Sequence, residues 1–266
     1  MKCTYREIGP AAEVNTPDPR TQTRDAFILL GCLLLAGAAA FGGALIAVDS
    51  LVGWVPPQTE ARIFSGMPFE ELLPFPEQDS SGRAGWTLWV NTLERLRPHP
   101  AVLPLAYRLV LVQGDQPNAF AIPGGTIAVT TALVDAAGDD PMAVSMILGH
   151  ELGHFAHRDH LRGLGRAAVL GLVLSALLGS DLGTLGRVAL NLETLRYSRR
   201  QERLADLFGA RVTLDTFGDI SSFTGFLGQI AEQEALPRWA YMLSTHPDPK
   251  ERIRTLETFA QTYRSE

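Results

Sequence analysis

Residues Ala26–Val48 form an uninterrupted run of 23 residues without a charge, and few folds can accommodate such a run. Inside lipid a backbone must satisfy its own N–H and C=O groups, which restricts a lone span to helix. At about 1.5 Å per residue the run reaches about 35 Å, enough for an apolar bilayer core of about 30 Å. Lys2, Arg6, Arg20 and Arg24 precede it, whereas Arg62 is the only basic residue among roughly thirty that follow. That bias predicts a cytoplasmic N-terminal segment (residues 1–25), a membrane anchor (26–48), and the rest of the chain on the far side. Trp54 is placed to sit at the interface. A cleaved signal ending at Ala38-Ala39-Ala40 fits less well, because the apolar run continues past it. A lipoprotein-type site at Leu29-Leu30-Gly31-Cys32 would need polar residues after the cysteine, and they stay apolar.

The remainder of the 266 residues can bury a sizeable core, with 46% of the chain hydrophobic and 20% charged. A net charge of −6, with basic clusters interrupted by acids, excludes an electrostatic footprint for nucleic acid. Cys3 and Cys32 are the only thiols; they are badly placed for a disulfide and make no C-x-x-C site. Residues 49–84 hold Pro56, Pro57, Pro68, Pro74 and Pro76, a composition that resists helix and central strand and predicts a linker or arm. Beyond it, Trp86, Trp89, Leu93 and Leu96 recur at helical spacing until Pro98. Leu105–Gln113 and Thr126–Thr130 read as strands separated by turn residues. Asp140 followed by Pro141 is a strong helix start, and Val144, Ile147, Leu148, Leu152 and Phe155 mark that helix.

This helix carries His150, Glu151 and His154, an H-E-x-x-H pattern. Residues four apart share a helix face, so both imidazoles can address one ion, a bite that suits tetrahedral zinc. Glu151 stands one residue round, beside the ligands, where it can take a proton from water and pass it to a leaving amine. His160 has the spacing of a third ligand in metzincins, but that motif needs glycine where this chain has His157. His157 and His160, among Arg158 and Asp159, read instead as solvated residues at a helix end. Glu202 and Asp206, four apart, are better placed: one can bind the metal while the other accepts a ligand imidazole N–H. Glu193 is a rival acid without such a partner.

The segments Gly149–His154, Ser198-Arg199-x-x-Glu202-x-x-Ala205-Asp206, His246-Pro247 with Arg252-Ile253, and Asn118–Gly125 together resemble the HtpX-like family of membrane-associated gluzincin peptidases. The resemblance spans roughly residues 85–260. It implies an α+β, predominantly helical, zincin-like metallopeptidase domain with a small sheet, covering residues 85–266 after the single N-terminal transmembrane helix. It implies one Zn2+ per chain on His150, His154 and Glu202, with Glu151 as general base and Asp206 behind the ligands. His246 and Arg252 would line the site near the developing oxyanion. Asn118, Ala119, Phe120, Gly124 and Gly125 would offer a strand edge to an extended protein or peptide substrate. An inner-membrane enzyme of envelope protein quality control, with its peptidase domain on the extracytoplasmic side, is the resulting expectation.

That family uses several spans, whereas here the second apolar stretch, Ala167–Leu178, would reach only about 18 Å as a helix. It reads as a buried or membrane-touching helix beside the site. A tethered chaperone-like binding module without turnover and a zinc hydrolase of non-peptide bonds are the competing classes. The intact His150, Glu151, His154 and Glu202 weigh against the first, and the peptide-binding strand against the second.

Overall fold

Proline placement decides where the first helices begin. In the computed structural model, which describes residues 19–65, 77–178, 197–221, 223–224 and 249–263, helix α1 runs from Pro19 to Val52. It contains the whole expected span. Among the described residues it is the one helix long and apolar enough to cross a membrane, with a mean hydropathy of 2.2 over its most apolar part. The chain divides into two compact units, Met1–Ala47 and Val48–Glu266, and the second carries the sheet and the motif helices.

Within the stretch expected to be an arm, residues 57–64 are helical. Pro57 opens helix α2 (Pro57–Phe64) in its first turn, where a proline forfeits no helical hydrogen bond. Glu60 within it is fully buried. Proline opposes a helix interior and not its start, which is how a proline-rich stretch can still hold this short helix.

Helix α3 (Trp86–Leu96) buries Trp86, Trp89, Leu93 and Leu96, the four residues whose spacing announced it. The sheet follows with β1 (Arg108–Val112), β2 (Ala119–Ile122) and β3 (Thr126–Thr130). Strand β3 lies in the middle, parallel to β1 and antiparallel to β2, so β2 forms an edge. One face of the sheet joins the main core around Trp89, Leu93, Ile127, Val129, Met146 and Leu152. The other face carries a smaller cluster of Val110, Val112, Phe120, Ile122 and Ala128, against which Phe64 of α2 packs.

Thr130 caps α4 (Thr131–Ala137), and Asp140 caps α5 (Pro141–Ala156) by accepting from the Met142 and Ala143 amides at 2.9 and 3.2 Å. Every residue of α5 from Ala143 to Phe155 is buried, the signature of a central helix and not of an amphipathic surface one. The chain then turns at Arg158, whose φ of 59° is uncommon for a residue with a side chain, and enters α6 (Asp159–Leu178). The apolar stretch from Ala167 forms the second half of α6. It is not buried as the alternative expectation had it: Leu170 and Leu172 are 48% and 59% exposed.

Helix α7 (Arg199–Phe217) opens with a capping box, Ser198 and Gln201 bonding each other's backbones, and α8 (Pro249–Tyr263) follows. Helices α5 and α7 meet backbone to backbone. A Cβ on Gly149 would fall 2.9 Å from Gly209 Cα, and one on Gly153 would fall 2.8 Å from Ala205 Cα. Such approach leaves no room for a Cβ at Gly149, Gly153 or Gly209, and it brings the two halves of the site together.

Candidate metal centre

Side chains project from an α-helix at about 100° per residue, so the ligand face of α5 is shared by His150 and His154. Their rings stand edge to face, with centroids 4.7 Å apart, and their Nε2 atoms are 3.1 Å apart. From the crossing helix α7, Glu202 brings Oε2 to 3.5 Å from His150 Nε2 and Oε1 to 3.5 Å from His154 Nε2. One donor atom from each of the three residues lies within 4.8 Å of the others, and all three residues are buried.

The opposite ring nitrogens explain the orientation. His150 Nδ1 is 2.9 Å from Asp206 Oδ1, and His154 Nδ1 is 3.0 Å from Asp159 Oδ2. A carboxylate there holds the proton on Nδ1 and turns the Nε2 lone pair inward. Two inward lone pairs and a carboxylate converging in a dry site repel one another unless a cation sits among them. The donor set is therefore chemically suited to a divalent metal of borderline softness.

The second carboxylates are themselves held. Arg252 of α8 donates from Nε and one terminal nitrogen to Asp206, at 2.8 and 2.7 Å. Burial opposes charge on Asp206, yet Arg252 and His150 outweigh it and keep the carboxyl ionised well below the usual range. Asp159 accepts from Gln201 Nε2 at 2.7 Å, so the capping residue of α7 also steadies His154. Tyr197 stacks on the His154 ring at 3.9 Å. Burial likewise opposes charge on both histidines. On His150 the carboxylates of Asp206 and Glu202 overcome it and raise the pKa, so a proton competes with a metal for Nε2, whereas on His154 burial prevails and lowers it.

Glu151 is buried beside the ligands, near enough to the main-chain N–H of Ala121 in β2 for that amide to favour its charged form. Burial pushes its pKa up to about 7, with the Glu202 charge adding to the rise and His150, the Ala121 amide and Arg252 opposing it. The pairing of Asn118 with Thr130 makes Phe120 and Ile122 the residues that bond to β3. Ala119 and Ala121 then direct their main-chain groups away from β3, along an edge of the sheet where both residues are buried. Gly124 and Gly125 close the β2–β3 turn with φ of 92° and 101°, a conformation that suits glycine.

Sequence reasoning thus located His150, Glu151, His154, Glu202 and Asp206, and the structure brings them together. Arg252 also arrives, its guanidinium fixed on Asp206. His246 and Glu193 lie outside the described residues. The residues after His154 require correction. Asp159 and His160 are buried and not solvated: Asp159 anchors His154, while His160 Nε2 meets Glu60 at 2.7 Å and turns away from the ligands. Arg158 is buried too, on Glu60. Gln201 of the α7 capping box delivers its side-chain amide to Asp159 from 42 residues away, a pairing that no local spacing announces.

Two imidazoles from one buried helix and a carboxylate from the helix that crosses it, beside an edge strand, define a metallopeptidase domain of the H-E-x-x-H class. The model of Peptidase family M48 matches residues 92–260, and the chain belongs to that family. It is similar to the beta-barrel assembly-enhancing protease of Yersinia pestis, 26% identical over 63% of this chain and 37% of the relative. The mitochondrial metalloendopeptidase OMA1 of Schizosaccharomyces pombe is 29% identical over 64% of this chain and 52% of its own length. A protease HtpX homolog of Salinibacter ruber is 26% identical over 64% of this chain and 73% of the homolog. The match thus spans a third to a half of the first two relatives.

Proposed function

We propose that the chain is a membrane-anchored zinc metalloendopeptidase that cleaves extended segments of protein substrates. The observation that supports this reading is the convergence of His150, His154 and Glu202, one donor atom of each within 4.8 Å of the others, with Glu151 buried next to His150 on the same helix. An extended peptide pairing with Ala119 and Ala121 would present its carbonyls to that cluster through main-chain bonds, with little demand on sequence.

A zinc ion, one per chain, held by His150, His154 and Glu202, would supply Lewis acidity toward the scissile carbonyl and toward water. Glu151, with a pKa raised to about 7, is poised to take a proton from the attacking water and return it to the leaving amine. Asp206 and Asp159 keep both ligand imidazoles in one tautomer. Arg252 holds Asp206 and contributes positive charge felt by Glu151; with His246 it is assigned to the side where the oxyanion develops. Asn118, Phe120, Gly124 and Gly125 shape the substrate strand and its turn.

The charge bias around α1 supports a single-pass inner-membrane protein with its peptidase domain outside the cytoplasm. The relatives named for β-barrel assembly and HtpX support a role in envelope protein quality control. The test is cleavage of a denatured-protein panel by the full chain, wild type against Glu151→Gln, with metal content measured in both. Turnover that persists in Glu151→Gln at the wild-type rate would sink the assignment; binding without turnover in the wild type would favour a chaperone-like module.

A further inference from the structure

Outside the metal centre, the described residue with the least exposed carboxylate is Glu60, and it lies upstream of the stretch matched by the family. It sits in α2 and serves three donors from two other parts of the chain. Its Oε1 accepts the Gly124 amide at 3.1 Å and faces His160 Nε2 at 2.7 Å, and its Oε2 pairs with the Arg158 guanidinium. Arg158 also reaches back to the Val55 carbonyl at 3.0 Å, which secures its left-handed backbone. One turn on from Glu60, Phe64 seals the outer face of the sheet, and a Cβ on Gly124 would meet Phe64 Cβ at 3.1 Å.

The two segments that Glu60 joins are the two that must be in register for hydrolysis. Gly124 closes the turn directly after β2, the strand that packs against the motif helix α5. Arg158 and His160 follow the ligand His154 by four and six residues at the end of the motif helix. A carboxylate suits this joint because it offers acceptors on both oxygens. A glutamine would turn an amino group toward one set of donors. An aspartate would be one methylene short.

We propose that Glu60 is a positioning residue for substrate: it pins the β2–β3 turn to the end of α5 and so sets where an extended peptide pairs relative to His150 and Glu151. This rests on β2 being the substrate strand. Through Glu60 the segment that follows the membrane anchor becomes part of the peptide-binding apparatus.

The test compares Glu60→Gln with wild type in the full chain, by steady-state cleavage of an unfolded protein, metal content, and amide hydrogen exchange of residues 119–125 and 146–155. The expected result is a KM raised about tenfold, kcat within threefold, unchanged metal content, and faster exchange confined to residues 119–125. Loss of kcat or of metal with exchange at 119–125 unchanged would overturn the proposal. Should Glu60→Gln fail to fold, Phe64→Ala loosens α2 without altering a buried charge. A raised KM with metal retained supports the proposal, and an unchanged KM despite faster exchange in β2 overturns it. A wild type that cleaves nothing, with the exchange difference intact, would instead defeat the peptidase reading and leave the hold on β2 standing.

Discussion

Two clusters of buried charge lie near the C-terminal half of α5, and they are assembled on opposite terms. Around the centre, the described residues His150, His154 and Glu202 each bring a ligand atom, and Arg252 pairs with Asp206. Around Glu60 the acceptor and its donors match: a carboxylate, a guanidinium, an imidazole and an amide N–H close on each other. Isolated buried charge is expensive unless paired, so the second arrangement matches donors to acceptors within the chain, whereas the first gathers ligand atoms that suit a cation. The difference separates a receptor for an ion from a joint between segments, although both are dry, acidic and built partly from histidine.

The strongest way to break this comparison is to remove a ligand. His154→Ala should abolish metal binding and lower cleavage by at least a thousandfold, on the order of the loss expected for removing a group central to catalysis; Glu60→Gln should retain its metal. Stripping the metal with a chelator should come next. Activity should vanish, and the melting temperature should fall and return on adding zinc, since an ion at a thousand times its dissociation constant stabilises by about 4 kcal/mol. A melting temperature indifferent to metal would show that the donor cluster is self-sufficient after all.

Asp159→Asn should weaken metal binding by about tenfold to a hundredfold while leaving the ligands in place, measured by competition with a chromogenic chelator. Gly153→Ala should destabilise the fold by about 1–3 kcal/mol in denaturant titrations, because its Cβ has no room against α7. The smallest effect concerns acid. Burial tends to raise the Glu60 pKa, but His160, Gly124 and Arg158 together bring it below the ordinary value of 4.5. Its contribution is therefore complete above about pH 4.5 and is lost as pH falls through the lower, folded value. The stability gap between wild type and Glu60→Gln should narrow on acidification; a gap independent of pH would sharpen the case for packing over charge.

How far each cluster could be read in the sequence follows from its wiring. The metal centre rests on helical spacings, His150 with His154 and Glu202 with Asp206, and on a cap, Asp140-Pro141, that fixes where the motif helix starts. Spacing supplies a shared face, and the resemblance to a known family assigned Glu202 and Asp206 their separate roles. Asp159 was missed because a charged residue at a helix end usually faces water, and here the chain folds back at Arg158. The Glu60 joint was invisible because its partners are about a hundred residues away and no local periodicity links them. Its one local sign was Pro57, which reads equally as linker or as helix start. The crossing of α5 and α7 did leave a trace: Gly149 and Gly153 are four apart, and so are Ala205 and Gly209. Paired small residues at that interval mark the faces where two helices can touch.

That touching bears on which ions the centre can tolerate. Main-chain atoms in van der Waals contact are the stiffest spacer a protein has, so the gap between the imidazole pair and Glu202 has little freedom to widen. Magnesium and calcium need six or more oxygen ligands and room to arrange them, whereas a small ion content with four neighbours needs neither. Discrimination against the more abundant alkaline-earth ions should therefore reside in two glycines and their partners across the crossing as much as in the ligands themselves.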